Sequence, residues 1–167
     1  KDLVNPHIRD LAPYEPGKPM ETLERELGIA SSVKLASNEN PIGPSPKAIE
    51  ALRSRLDEVN RYPDGACFEL RTRLSQKLGV SERQLVFGCG GDEILELWMK
   101  TFVAPGDEVI MPWPSFAMYP IVVKGMGGKV VNVPLREDFS HDLDGMLDAI
   151  TERTKVIFIC NPNNPTG

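Results

Sequence analysis

From residue 84 onward the chain alternates short apolar runs with stretches of helical periodicity, and this alternation limits the possible folds more than any other feature. The runs at 84–87, 107–111, 129–133 and 155–160 have the length and composition of strands. Between them, 92–103, 116–124 and 143–150 read as helices, with Ile94, Leu97, Trp98 and Phe102 on one stripe of the first and Pro120 inside the second. A β-α-β-α-β-α-β order predicts an α/β protein built on a mostly parallel sheet with helices on both faces. In such open sheets ligands sit where the strands end, at their carboxyl edge. The sequence stops on Gly167, in the loop after the last strand, before any helix that would cover it. It is therefore expected to be the front part of a longer protein.

The first 45 residues differ in texture. Prolines at 6, 13, 16, 19, 41 and 44 break them into turns, with one short helix expected over 21–27 and closed by Gly28. Ser45-Pro46 reads as N-cap and first helical residue of a helix running through Lys47-Ala-Ile-Glu-Ala-Leu-Arg-Ser-Arg-Leu56. Residues 60–65 (NRYPDG) form a turn, and 67–78 carry Phe68, Leu70, Leu74 and Leu78 at near-helical spacing before Gly79. The expected organisation is an N-terminal arm and small-domain segment over 1–45, followed by the first part of a large α/β domain over 46–167. No internal repeat is present.

Composition narrows the function classes. The chain has 41% hydrophobic and 26% charged residues and a formal net charge of −5, with no basic stripe, which argues against a nucleic-acid partner. Apolar runs such as Val156-Ile157-Phe158-Ile159-Cys160 are far shorter than a membrane span, and no membrane partner is expected. Cys67, Cys89 and Cys160 are widely spaced and odd in number, which fits neither a disulfide framework nor a zinc site and points to a reduced, cytoplasmic setting. Two histidines, His7 and His141, leave little material for a His-based hydrolase or metal centre, and no metal site is expected.

Three segments carry candidate chemistry. Gly88-Cys89-Gly90-Gly91-Asp92-Glu93 is expected to leave a strand and open a helix, with Asp92 as N-cap. Its glycines admit close backbone approach, and the free N–H groups of a first helical turn attract anions. The segment is either a phosphate cradle or a tight strand–helix turn without a ligand. Phe116, after Pro112-Trp113-Pro114-Ser115, is either a core aromatic or a face for a planar ring. In Asn161-Pro162-Asn163-Asn164-Pro165-Thr166-Gly167, Asn164 either offers its amide to a ligand hydroxyl or satisfies turn carbonyls. Tyr62 is a turn-flanking aromatic or an anion contact. Taken together, they put a cradle, a ring and an amide on one edge of one sheet.

With these motifs the chain resembles the N-terminal half of the fold-type-I pyridoxal-phosphate aminotransferases, in their histidinol-phosphate branch. The resemblance runs through Leu11-Ala-Pro-Tyr14, Lys34-Leu-Ala-Ser-Asn-Glu-Asn-Pro41, Arg61-Tyr-Pro-Asp64, Gly88-Cys-Gly-Gly-Asp-Glu93, Pro112-Trp-Pro-Ser-Phe-Ala-Met-Tyr119 and Asn161-Pro-Asn-Asn-Pro-Thr-Gly167, in the family's order and spacing. It implies pyridoxal 5'-phosphate as cofactor, with Gly90, Gly91 and Asp92 on its phosphate, Phe116 stacked on its ring and Asn164 on its 3-hydroxyl. It further implies a homodimer in which Tyr62 reaches the phosphate of the neighbouring subunit's cofactor. Tyr14 would close over the substrate, with Asn38 and Asn40 bordering its pocket. The implied reaction is amino transfer between histidinol phosphate and 2-oxoglutarate, giving glutamate, in histidine biosynthesis.

The sequence departs from the family pattern at Cys89 and Gly91, where Asn, Ala, Ser or Thr are more usual. The family's Schiff-base lysine stands in a later SxxK-type segment, so no catalytic residue of that kind is expected within 1–167. The aspartate for the pyridine nitrogen and the substrate-binding arginines are likewise expected downstream. An aromatic or broad-range aminotransferase, a threonine-phosphate decarboxylase, and a non-catalytic ligand-sensing domain of a regulator are the alternatives on the same scaffold.

Overall fold

The computed structural model describes residues 3–167. Two compact units divide them: one takes the chain up to Tyr14 together with Val86–Gly167, the other Glu15–Leu85. Compactness thus draws its lines elsewhere than the 45/46 boundary read from the sequence.

The Glu15–Leu85 unit is helical. Helix α1 (Met20–Leu27) ends where Gly28 turns left-handed and its N–H reaches Glu24 O. Helix α2 (Pro46–Arg53) starts as expected, with Ser45 as N-cap and Pro46 at the first position, although the Ser45 hydroxyl makes no capping bond. Helix α3 (Phe68–Leu78) is capped from outside its own N-terminus. Asp64 Oδ1 accepts from Ala66 N–H and Oδ2 from Phe68 N–H, both at 2.9 Å. These two backbone bonds hold the Asp64 carboxyl below its ordinary range. Arg71 pins the following 3-10 turn (Glu82–Gln84) to α3 by donating to the carbonyls of Glu82 at 2.8 Å and Leu85 at 2.6 Å.

The other unit is the α/β core. Helix α4 (Gly90–Phe102) leads to strand β1 (Glu108–Trp113), helix α5 (Met118–Gly125), strand β2 (Lys129–Pro134), helix α6 (Leu143–Asp148) and strand β3 (Thr154–Ile157). All pairing is parallel, in the order β2-β1-β3, with Val109 opposite both Val130 and Val156. The central strand is buried from Glu108 to Pro112 and reads as a continuous apolar run after its first residue, as a strand covered on both faces should. Its side chains alternate. Val109 and Met111 join Met99, Val103, Val123, Val156 and Phe158 on the α4–α5 face, while Ile110 meets Val133 and Met146 on the α6 face. The helices therefore cover both faces. At the return into β2, a Cβ on Gly128 would lie 2.8 Å from Val103 Cγ1, so the close approach there needs glycine.

Three expectations require correction. Residues 84–87 are not a strand: 84 ends the 3-10 turn, and 85–88 carry no sheet pairing. A strand is defined by its neighbour, and among the described residues none runs beside this segment. Helix α4 begins at Gly90 rather than Asp92, so Asp92 lies in the first turn and Cys89 is the N-cap. Glu93 substitutes for a capping side chain by accepting the Cys89 N–H. Strand β3 ends at Ile157, not 160, although Phe158 N–H still reaches Ile110 O at 2.9 Å. Pro120 proves compatible with α5 because it occupies the third helical position, where an N–H has no helical acceptor.

At the amino-terminal end of the sheet Glu108 is a buried charge, 2% exposed. Its carboxylate accepts from Thr151 Oγ1 at 2.7 Å, Arg153 at 2.9 Å and Lys129 Nζ at 3.0 Å. Those three hydrogen bonds outweigh the cost of burial and bring the carboxyl from 4.5 down to about 2. A carboxyl depressed on folding contributes stability that is complete above its unfolded value and lost as pH falls through its folded one. Glu108→Gln in the full-length protein is expected to lower Tm by a constant amount above about pH 5. The difference should shrink as pH drops from 4.5 toward about 2. Thermal scans across that range check it; a Tm difference independent of pH would refute the assignment.

Candidate functional site

The carboxyl ends of β1 and β3 are neighbours because the strands pair in parallel, and both candidate loops leave from there. The loop after β1 carries Pro114, Ser115 and Phe116; the loop after β3 carries the Asn161–Gly167 motif. A buried polar junction ties them. Ser115 Oγ donates to Asn163 Oδ1 at 2.8 Å, and Asn163 Nδ2 donates to Pro114 O at 3.2 Å and to Thr166 Oγ1 at 2.7 Å. The Asn163 carbonyl accepts the Gly167 N–H at 2.7 Å. The Trp113–Pro114, Asn161–Pro162 and Asn164–Pro165 peptides are cis.

Phe116 is half-buried and set edge-on to Tyr119, with centroids 5.6 Å apart at 89°. Tyr119 in turn stacks flat on Phe158, at 4.3 Å and 5°. Three rings thus run from the loop after β1 to the residue just past β3, each in a favourable aromatic geometry. Burial, and then the neighbouring Cys160 side chain, push the Tyr119 hydroxyl above its ordinary range, so it stays protonated. Asn164 is half-buried, and its amide makes no hydrogen bond among the described residues.

The N-terminus of α4 lies in the same compact unit. Gly90 adopts φ +81°, which favours glycine, and its N–H turns back to Gly88 O at 2.9 Å. The N–H groups of Gly91 and Asp92 find no acceptor among the described residues, and a Cβ on Gly90 or Gly91 would meet only open space. An anion could approach this turn closely. Tyr14 belongs to this unit too and is exposed.

The remaining candidates, Asn38, Asn40 and Tyr62, fall in the Glu15–Leu85 unit. Asn38 sits at φ +51°. Asn40 uses its own side chain locally, accepting from Ile42 N–H at 3.1 Å and donating to Gly43 O at 2.9 Å. Tyr62 is fully exposed. Sequence reasoning missed the Ser115–Asn163 junction and Tyr119. The only signal for the junction was a small polar residue following Pro114 and an asparagine set between two prolines. Among the described residues no helix is long and apolar enough to cross a membrane.

The described residues thus build a parallel sheet covered on both faces, with a glycine-opened helix and an Asn-Pro loop, the α/β scaffold on which the solved aminotransferases named below superimpose. The sequence model of aminotransferase class I and II matches residues 30–167, and the chain belongs to that family. Its similar relatives are narrower. It is 49% identical over 160 residues to the histidinol-phosphate aminotransferase of Moorella thermoacetica, covering 96% of this chain and 41% of that protein. It is 50% identical to the Caldicellulosiruptor saccharolyticus enzyme of the same name, covering 96% of this chain and 44% of that one. The crystal structure of the Sinorhizobium meliloti histidinol-phosphate aminotransferase in complex with pyridoxal-5'-phosphate superimposes with a TM-score of 0.86 at 28% identity, over all of this chain and 44% of that one. A single mutant of the Thermus thermophilus aspartate aminotransferase gives 0.80 at 27%, over all of this chain and 47% of that one. The chain thus spans less than half the length of the curated relatives it matches.

Proposed function

We propose that this chain is the N-terminal part of a histidinol-phosphate aminotransferase, which moves the amino group between histidinol phosphate and 2-oxoglutarate. Within it, residues 46–167 form the first part of the cofactor-binding domain, preceded by the 1–45 arm. The observation that carries the reading is the tie between the loops after β1 and β3, which keeps Phe116 and Asn164 on adjacent strand ends. Near-50% identity to several enzymes of that name, across almost the whole chain, supports the substrate choice.

The residues fit pyridoxal 5'-phosphate. Two N–H groups without acceptors beside open space at Gly90 and Gly91 suit a phosphate. A half-buried aromatic face suits a pyridine ring, and an amide without a partner suits a ring oxygen. When bound, that cofactor supplies a ring able to take up the electron pair released when a substrate C–H bond breaks. This chain's residues orient it. The first turn of α4 neutralises phosphate charge with Gly91 and Asp92 N–H groups and the helix dipole. Phe116 fixes the ring plane, braced from the side by Tyr119. The Asn164 amide donates to the 3-oxygen and holds negative charge there.

The proposed functional form is the homodimer that the family resemblance implies, and Tyr62, exposed on the surface of the Glu15–Leu85 unit, is the residue that would serve the neighbouring subunit. Each unit brings its own candidates for substrate contact, Tyr14 in one and Asn38 and Asn40 in the other. The covalent lysine anchor, the pyridine-nitrogen aspartate and the substrate arginines come from downstream. Unpaired cysteines suit a cytoplasmic enzyme.

Full-length protein should bind added pyridoxal 5'-phosphate with a visible absorption band, and should form glutamate from histidinol phosphate and 2-oxoglutarate. A visible band with turnover of an aromatic amino acid but not of histidinol phosphate would move the reading to another branch of the family. No band at all would overturn it.

A further inference from the structure

We infer that Asn163 and Ser115 form a positioning latch that sets the ring contact and the 3-oxygen contact as one unit. The inference rests on the cofactor reading above. Both N–H bonds and the oxygen of the Asn163 side chain are engaged inside the protein. Its oxygen takes the Ser115 hydroxyl, and its two N–H bonds go to Pro114 O and Thr166 Oγ1. At 6% exposure for Asn163 and 7% for Ser115, both side chains are buried and turned to each other. They touch each other across 48 residues of sequence.

Each member of the latch is covalently next to a proposed ligand contact. Phe116 follows Ser115, and Asn164 follows Asn163. Adjacent Cα atoms stand about 3.8 Å apart, so any shift of one latch partner is transmitted to the neighbouring contact. Both loops lie beyond the last ladder bonds of their strands. Among the described residues the side-chain bonds joining them are those Asn163 makes to Ser115 and Pro114. The separation between the aromatic face and the amide is therefore set here together with the Phe116–Tyr119–Phe158 ring contacts, which carry no polar bond to Asn163. A ligand touching both would sense the latch through two contacts at once.

The chemistry of the latch separates hydrogen bonding from packing. Asn163→Asp keeps the volume and the acceptor toward Ser115, but turns a carboxylate oxygen against the Pro114 carbonyl, 3.2 Å from the donor it replaces. Ser115→Ala removes one hydroxyl and little volume, so it serves where Asn163→Asp fails to fold.

The test uses full-length protein stripped of cofactor and titrated with pyridoxal 5'-phosphate. It reads the Kd and the pH midpoint of the bound cofactor's visible absorption. Ser115→Ala should weaken binding roughly three- to tenfold, the span of one ordinary hydrogen bond. It should move the midpoint in the same direction as Asn164→Ala does. Because the latch acts through Asn164, the Ser115→Ala/Asn164→Ala double variant should show less than the sum of the two single effects. The latch is overturned if Ser115→Ala and Asn163→Asp leave Kd and midpoint at parental values while Asn164→Ala shifts them. Effects that add in full, or a lowered Tm with unchanged Kd, overturn it equally. If Asn164→Ala and Phe116→Ala themselves leave both readouts unmoved, the site assignment fails, and the latch with it.

Discussion

Replacing Phe116 with alanine in the full-length protein is expected to weaken pyridoxal 5'-phosphate binding about tenfold. The ring is half-buried and packed at right angles to Tyr119, and its exposed part is proposed as the face for a planar ligand. Losing that face forfeits the apolar burial and stacking of one aromatic, about 1.5 kcal/mol, which is roughly a factor of ten in Kd. Absorbance titration of stripped protein measures it. Phe116→Tyr keeps the face and should stay near the parental affinity. If the alanine variant binds as tightly as the parent, Phe116 is only a packing residue for Tyr119.

The second large effect concerns the 167 residues taken alone. They are expected to show no cooperative thermal transition as a monomer and to self-associate. The physical cause lies along the free side of β3, whose outer edge has no strand beside it among the described residues. There Val86, Leu97, Trp98, Phe102, Val156 and Ile157 line a groove of about 510 Å³. Trp98 and Phe102 are each about half exposed and pack edge to face at 5.9 Å. An unpaired strand edge beside an apolar groove is a template for association. Sedimentation and calorimetry of the isolated stretch test this. A sharp, reversible melt from a monodisperse monomer would contradict it.

How far the sequence alone reaches can be judged from particular elements. Strands β1 and β2 were legible because short β-rich runs lie between clear turns, and Gly28, Ser45-Pro46 and Gly79 marked helix ends by backbone preference alone. These signals are local. The segment 84–87 has the same local composition, yet composition cannot supply the neighbour that makes a strand. The start of α4 was misplaced by two residues because glycines signal loops, whereas here Gly90 opens the helix and Glu93 reaches back to close its cap. Within the site, the motif residues Phe116 and Asn164 were readable from their setting. Ser115 and Asn163 were not, because their value is a bond between positions 48 apart in the chain. Tyr119 was hidden for a similar reason: its ring partners come from the loop after β1 and from beyond β3.

The buried carboxylate at the start of β1 has a wider consequence. Lys129, Thr151 and Arg153 gather on it at the strand origins, about 16 Å of extended chain away from the turns that carry Phe116 and Asn164. Cohesion and ligand grip are thereby assigned to opposite rims. Drift among the four residues of the first rim would register as shortened lifetime or poor yield and leave turnover per molecule intact. The turns of the second rim lie beyond the ladder bonds, so their ligand contacts can change without loosening the sheet.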